Sequence, residues 1–254
     1  MTALHRIPPR AAPASEADAR WAAVIARDAG SDGRFFYSVK STGVYCRPTC
    51  ASRLPRRENV AFHDTREDAE RAGFRPCRRC KPDRTLPAGT VVRFATATCS
   101  LGSLLVARND QGICAVLLGD NAHSLERDLR RRFPQASRAG DDSGTEAVLA
   151  KVARVVENPR LAADLPLDPR GTAFQRRVWQ MLRTIPAGST VSYAELARRI
   201  GAPRAVRAVA QACGANALAV IVPCHRVVRS DGTLSGYRWG AGRKRALLER
   251  EARR

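Results

Sequence analysis

The residues of this 254-residue chain that could do chemistry fall into two groups. The first is Cys46-Arg-Pro-Thr-Cys50 and Cys77-Arg-Arg-Cys80, two cysteine pairs separated by 26 residues. Thiols three or four positions apart let one turn supply two corners of a tetrahedron. Cys46, Cys50, Cys77 and Cys80 together therefore suit one Zn2+. Zinc keeps its thiolates deprotonated near neutral pH. A purely structural zinc and a zinc that readies one thiolate as a nucleophile both fit the spacing. Arg47, Arg75, Arg78, Arg79 and Lys81 surround the pairs. The second group is Pro223-Cys-His-Arg-Val227, inside the apolar run 221–228. A thiol such as Cys224 becomes a competent nucleophile when a base or cation lowers its pKa. His225 is the candidate base. On a strand, however, neighbours point to opposite faces, so a water relay and a carboxylate to orient the imidazole would be needed. Acidic residues are scarce after residue 170: only Glu195, Asp231, Glu249 and Glu251. A buried cysteine beside a structural histidine is the competing reading.

The elements that must position these groups are legible in outline. Residues 1–19 are rich in Pro, Ala and Arg without periodicity and read as a flexible tail. Residues 20–83 form a compact cysteine-bearing unit, and 84–89 a linker. Strands are expected over 90–98, 103–108 and 112–118, and helices over 123–132 and 146–157, with 161–169 extended. From 171 the pattern is helical. Residues 172–183 place Phe174, Val178, Trp179 and Leu182 on one face. Ser192-x-x-Glu195 reads as a capping box opening a helix over 193–200. Pro203 reads as the first residue of a helix over 204–213. Two short helices joined by a Gly-containing turn resemble a helix-turn-helix, and an ordinary helical hairpin has the same pattern.

The net charge is +20, with 44 Lys+Arg against 24 Asp+Glu. It is uneven: residues 171–254 hold 16 basic and 4 acidic residues, a net of +12. Forty of the basic residues are Arg, which suits bidentate phosphate contact. A polyanion, most simply nucleic acid, is the expected partner. Apolar residues at 44% exclude wholesale disorder, and no run approaches the ~20 residues of a membrane span. The N-terminus lacks the apolar core of a secretory signal. A cytoplasmic protein is expected, with no membrane partner and its eight cysteines reduced.

The full motifs are more specific than their spacing. Residues 44–50 (Val-Tyr-Cys-Arg-Pro-Thr-Cys), 57–60 and 72–80 resemble the zinc-binding domain of the Ada DNA-repair family. The resemblance implies one zinc on the four cysteines, and Cys46 as acceptor of a methyl group from a methylphosphotriester. Residues 91–254 resemble the methylated-DNA–protein-cysteine methyltransferases. The likeness lies in Pro186-Ala-Gly188, Val191-Ser-Tyr193, Arg207-Ala-Val209, Asn216, residues 223–227 and Gly236-Tyr-Arg-Trp-Gly240. It implies an α+β fold: a small four-cysteine zinc domain, a strand-rich RNase H-like subdomain over 90–170, and a winged helix-turn-helix-like DNA-binding subdomain over 171–254.

The resemblance also implies roles. Cys224 would accept the alkyl group of O6-methylguanine and, less well, O4-methylthymine, each site acting once. His225 would deprotonate Cys224 through a water, with Glu251, or Glu249, polarising it. Asn216 would brace the active-site turn, and Tyr193 would hydrogen-bond the extruded base. Arg207 would fill the gap left in the stack. Ala205, Ala208, Ala210 and Ala212, framed by Arg204 and Arg207, would allow close approach to the minor groove of double-stranded DNA carrying alkylated bases or phosphates. No small-molecule cofactor beyond the zinc is implied, and the chain is expected to be a monomer. The regulator segment that the best-known members carry between these parts has no room between Asp83 and Thr90. Alternatives are a methylation-sensing regulator, a protein in which only Cys224 reacts, and an inert DNA-binding module. Cys99, Cys114 and Cys213 match no motif and read as small core residues.

Overall fold

The computed structural model describes residues 15–85, 88–140, 142–161 and 164–253. The chain divides into two compact units, one ending at Ala88 and one beginning at Gly89. Most of the expected tail, residues 1–14, lies outside the described residues, and its last part belongs to a helix. Ser15 and Asp18 form a capping box that opens helix α1 (Glu16–Ala26). Capping satisfies amide groups that a helix start leaves unpaired, so a polar Ser-x-x-Asp signal begins the fold earlier than expected.

The first unit is a four-stranded sheet in the order Val60–His63, Phe36–Val39, Val44–Cys46, Arg75–Pro76. Strands β1 (Phe36–Val39) and β2 (Val44–Cys46) form a hairpin whose turn ends on Gly43 at φ 64°, a conformation glycine adopts without strain. Strand β3 (Val60–His63) pairs with β1, and a second capping box, Thr65 with Asp68, opens α2 (Arg66–Arg71). Strand β4 (Arg75–Pro76) runs parallel to β2. The core is small: Val24, Phe35, Tyr37, Val39 and Val60 pack with Cys46, Cys50 and Cys77.

The second unit begins with an antiparallel meander, β5 (Arg93–Cys99), β6 (Gly102–Asn109) and β7 (Gly112–Gly119). Helices α3 (Ala122–Arg132) and α4 (Ser143–Glu157) flank β8 (Ser137–Arg138), which adds parallel to β5. The helical half holds α5 (Ala173–Leu182), β9 (Val191–Ser192), α6 (Tyr193–Arg199), α7 (Val206–Ala215), β10 (Val227–Val228) and α8 (Ala241–Ala252). One apolar core runs from β6 and β7 through α5 and α7 to Leu247 of α8. The fold is α+β, as expected.

Three local expectations are corrected. The Ser192 hydroxyl accepts the Glu195 amide, but Glu195 turns its carboxylate to Arg198 and Arg199, so the box is half made. Helix α7 starts at Val206, not at 204. Pro203 and Arg204 form a turn closed by the Ala205 amide on the Ala202 carbonyl. The run 221–228 is not a continuous strand. Only Val227 and Val228 pair, and Cys224–Arg226 form one 3-10 turn.

Candidate metal centre and candidate active site

In the first unit, sheet register explains why two distant cysteine pairs meet. The parallel pairing Tyr45↔Pro76 sets Cys46, the last residue of β2, beside Cys77, which follows β4. The Cys77 amide donates to the Tyr45 carbonyl. Each strand end then turns sharply: the Cys50 amide reaches the Arg47 carbonyl, and the Lys81 amide the Cys77 carbonyl. All four sulfur atoms lie within 4.8 Å of one another. Four soft donors, three of them buried, fit Zn2+. Asp32 braces the first turn, accepting from the Thr49 amide and hydroxyl and pairing with Arg47 at 2.9 Å.

In the second unit the reactive segment is tied to the sheet. Val116 of β7 donates to the Ala217 carbonyl and accepts from the Ala219 amide. The chain then reverses tightly through Val220, whose φ of 66° is an outlier for a β-branched residue and marks local strain. Asn216, wholly buried at the end of α7, holds this turn together. Its Oδ1 accepts the Leu218 amide. Its Nδ2 faces the Val222 carbonyl at 2.9 Å and the Cys224 sulfur at 3.2 Å. Burial pushes the Cys224 thiol up to about 11, while the Asn216 amide and Lys244 pull it back by favouring the thiolate.

Cys224 and His225 are not on opposite strand faces, because they share the 3-10 turn. His225 Nε2 lies 2.8 Å from Glu251 Oε1, and both side chains are fully buried. His225 Nδ1 is buried without a hydrogen-bond partner. With Nε2–H directed at the carboxylate, Nδ1 carries the free lone pair. Burial lowers the His225 pKa and favours that neutral form, against the opposing pull of Glu251. Glu249 is exposed on α8 and does not reach the histidine.

Glu251 is held by more than His225. Arg226 donates to both of its oxygens, and the Gly188 amide donates to Oε2 at 3.0 Å. Burial would raise the Glu251 pKa, but the hydrogen bonds from His225 and Arg226 carry it down to about 2. Arg226 also donates to the Ile185 and Pro159 carbonyls. It therefore ties two further stretches of backbone to the carboxylate. Arg226 and Lys244 are functional candidates that motif reading left aside. Lys244, Leu247 and Glu251 share the buried face of α8, and their spacing of three and four residues was the available signal.

The other expected residues are placed as follows. Tyr193 is half-buried and its hydroxyl is 2.7 Å from Ser235 Oγ. Arg204, Arg207 and Ala210 are exposed, with Ala205 and Ala208 partly so; Arg204 and Ala205 lie in the turn before α7, the others on α7. Ala212 is corrected: it is buried, and its carbonyl accepts the Trp179 indole N–H. Cys114 and Cys213 are buried as expected, whereas Cys99 is only partly buried.

Fold and sites together define a four-cysteine metal module joined to a module built around a buried cysteine beside a histidine–carboxylate pair. Residues 19–83 match the model of the metal binding domain of Ada, and 173–253 that of the 6-O-methylguanine DNA methyltransferase DNA binding domain. The chain is 37% identical to the bifunctional transcriptional activator/DNA repair enzyme Ada of Escherichia coli, covering 92% of this chain and 96% of that protein. That alignment spans 340 positions against 254 residues here, so the relative carries residues with no counterpart in this chain. The chain is 59% identical over 91 residues to the methylated-DNA–protein-cysteine methyltransferase of Mycobacterium tuberculosis, covering 36% of this chain and 55% of that protein. Among solved structures, the M. tuberculosis O6-methylguanine methyltransferase matches with a TM-score of 0.53 at 37% identity, covering 64% of this chain and 93% of that one. A crystal structure of M. tuberculosis OGT in complex with DNA matches at the same TM-score and identity, covering 63% of this chain and 92% of that one. The chain belongs to the Ada family. It carries one four-cysteine zinc site.

Proposed function

We propose that this protein repairs alkylated DNA by direct reversal, moving methyl groups irreversibly onto its own cysteines. The observation that carries the reading is the buried cluster of Cys224, Asn216, His225 and Glu251. We assign the strand-rich part to 90–170 and the DNA-binding and active-site part to 171–254.

The target carbon on O6 of guanine is out of reach inside a duplex, so the base must be extruded. Arg207, exposed on α7, occupies the gap, and Arg204, Ala205 and Ala208 lie against the groove. The +12 of residues 171–254 supplies a sequence-independent, salt-sensitive attraction to phosphate. The Cys224 proton passes through a water to His225, whose positive charge Glu251 compensates. The Cys224 sulfur then bonds the methyl carbon as the bond from that carbon to O6 breaks. The electron pair leaves with the guanine, which accepts a hydrogen bond from Tyr193. The thioether formed is a very poor leaving group, so each molecule acts once.

Cys46, Cys50, Cys77 and Cys80 would hold the zinc, which when bound keeps the thiolates deprotonated. Cys46 would take methyl from a methylphosphotriester: its S–C bond forms, the O–C bond breaks, and the phosphodiester keeps the electron pair. The partner is double-stranded DNA, the protein acts as a monomer, and its place is the bacterial cytoplasm. No helix among the described residues is long and apolar enough to cross a membrane.

The test is stoichiometric. DNA bearing labelled methyl at both lesion types is mixed with the protein and the label is located by peptide mapping. Label on Cys46 and Cys224 is expected. Label confined to Cys224 would reduce the first unit to a docking part, and no label on either cysteine would end the repair reading. Promoter binding that rises sharply after methylation would instead favour a regulator.

A further inference from the structure

Ser235 joins two side chains that the transfer step as described leaves unconnected. Its Oγ is 2.7 Å from the Tyr193 hydroxyl and 3.0 Å from Lys244 Nζ. Lys244 is fully buried on α8 and also donates to the Val227 carbonyl, three residues past Cys224. Tyr193 opens α6 directly after β9, and β9 pairs with β10, the strand that continues from the 3-10 turn of Cys224. One serine therefore spans from the acceptor loop and α8 to the residue that faces the base.

Donor and acceptor arithmetic gives this chain a direction. A lysine ammonium only donates, so Ser235 Oγ accepts from Lys244. A hydroxyl that accepts from a cation becomes a poorer acceptor and a stronger donor, because successive hydrogen bonds polarise one another. This favours a Ser235 O–H directed at the Tyr193 oxygen 2.7 Å away. The Tyr193 hydrogen cannot then be spent on Ser235 and is left free for another acceptor. Burial makes this more than a surface arrangement: it raises the Tyr193 pKa and keeps the phenol protonated.

We propose that Ser235 and Lys244 are positioning residues for methyl transfer: the chain from Lys244 Nζ through Ser235 Oγ to the Tyr193 oxygen holds the phenol hydrogen free to bond the guanine ring as that ring takes on negative charge. The inference rests on the reading of Cys224 as acceptor and Tyr193 as base contact. The step remains balanced without a further reactant. The methyl carbon exchanges its bond to O6 for a bond to sulfur, guanine keeps the electron pair, and the proton released by Cys224 offsets the one guanine finally takes up. Differential stabilisation of the departing base raises the rate without tightening ground-state binding.

The experiment is single-turnover methyl transfer from a duplex oligonucleotide containing O6-methylguanine, with the full chain, at a series of DNA concentrations. Ser235→Ala should lower the limiting rate about tenfold, the loss of roughly one hydrogen bond, with the half-saturating concentration unchanged within about twofold. Ser235→Thr, which keeps the hydroxyl, should restore most of the rate. Ser235→Ala combined with Tyr193→Phe should be no slower than Tyr193→Phe alone, because both remove the same interaction. A Ser235→Ala rate equal to wild type overturns the proposal, as does a loss that simply multiplies with that of Tyr193→Phe. So does a loss that Thr does not rescue. Absence of transfer by the wild-type chain overturns the repair reading itself and the relay with it, and that result is distinct from the other three. Lys244→Met removes a buried cation and can unfold the chain, so the serine variants carry the decision.

Discussion

His225 and Glu251 are hydrogen-bonded at 2.8 Å across 26 residues of sequence, both side chains completely buried, and the same carboxylate receives the Arg226 guanidinium. A buried carboxylate that neutralises a buried cation is costly to remove from one side only, because the cation is left without a partner. Glu251→Gln should therefore lose about 3–5 kcal/mol of unfolding free energy and most methyl transfer to Cys224. Glu249→Gln, on the exposed face of α8, should stay within about 0.5 kcal/mol of wild type. Urea unfolding of the two variants checks this, and equal losses would remove Glu251 from its special place.

The same pair sets a pH dependence. Glu251 is held at about 2, below its ordinary 4.5, so the unfolded chain binds its proton first. The stability it contributes is complete above about pH 4.5 and is lost as pH falls towards 2, with an upper bound of about 3 kcal/mol. His225 is held below its ordinary 6.5 in neutral form, so its contribution fades as pH falls below 6.5. Both act in the same direction. Wild-type unfolding free energy should decline from pH 6.5 and more steeply below 4.5. Glu251→Gln should flatten the steeper part, and parallel curves would count against the carboxylate.

Much of this was legible from residue types alone. The two cysteine pairs state a metal site by spacing, and short Val- and Leu-rich runs between Gly and Asn-Asp turns mark the meander to within a few residues. What local pattern could not show was geometry made by distant partners. The run 221–228 has strand composition, yet the hydrogen bonds of Asn216 and the bridge to Val116 fold its middle into a 3-10 turn. Arg226 and Lys244 are two more cations in the basic residues 171–254 until burial separates them from the solvated arginines. The choice between Glu249 and Glu251 required the rotation of α8, which is set by packing of Leu247 in the core.

Asn216 Nδ2 donates toward the Cys224 sulfur at 3.2 Å. A donor favours the thiolate, and replacing it with a carboxylate oxygen would reverse the effect. Asn216→Asp should shift the alkylation profile of Cys224 by a neutral thiol reagent to higher pH. It should also slow single-turnover transfer by about a hundredfold, the order expected for losing such electrostatic support. A variant that transfers normally would show that the amide serves only to shape the turn.

Zinc removal should separate the two units. The first unit has a small core that includes three of its four metal-binding cysteines, so bound metal carries much of its folding free energy. The second unit has its own extended core and none of these cysteines. A strong chelator should therefore abolish one of two calorimetric transitions and transfer to Cys46, while transfer from O6-methylguanine to Cys224 continues. Cys224→Ala should do the reverse, leaving phosphotriester transfer intact. Loss of both activities on chelation would mean that the zinc unit supports the second site, and the two parts could no longer be treated as independent acceptors.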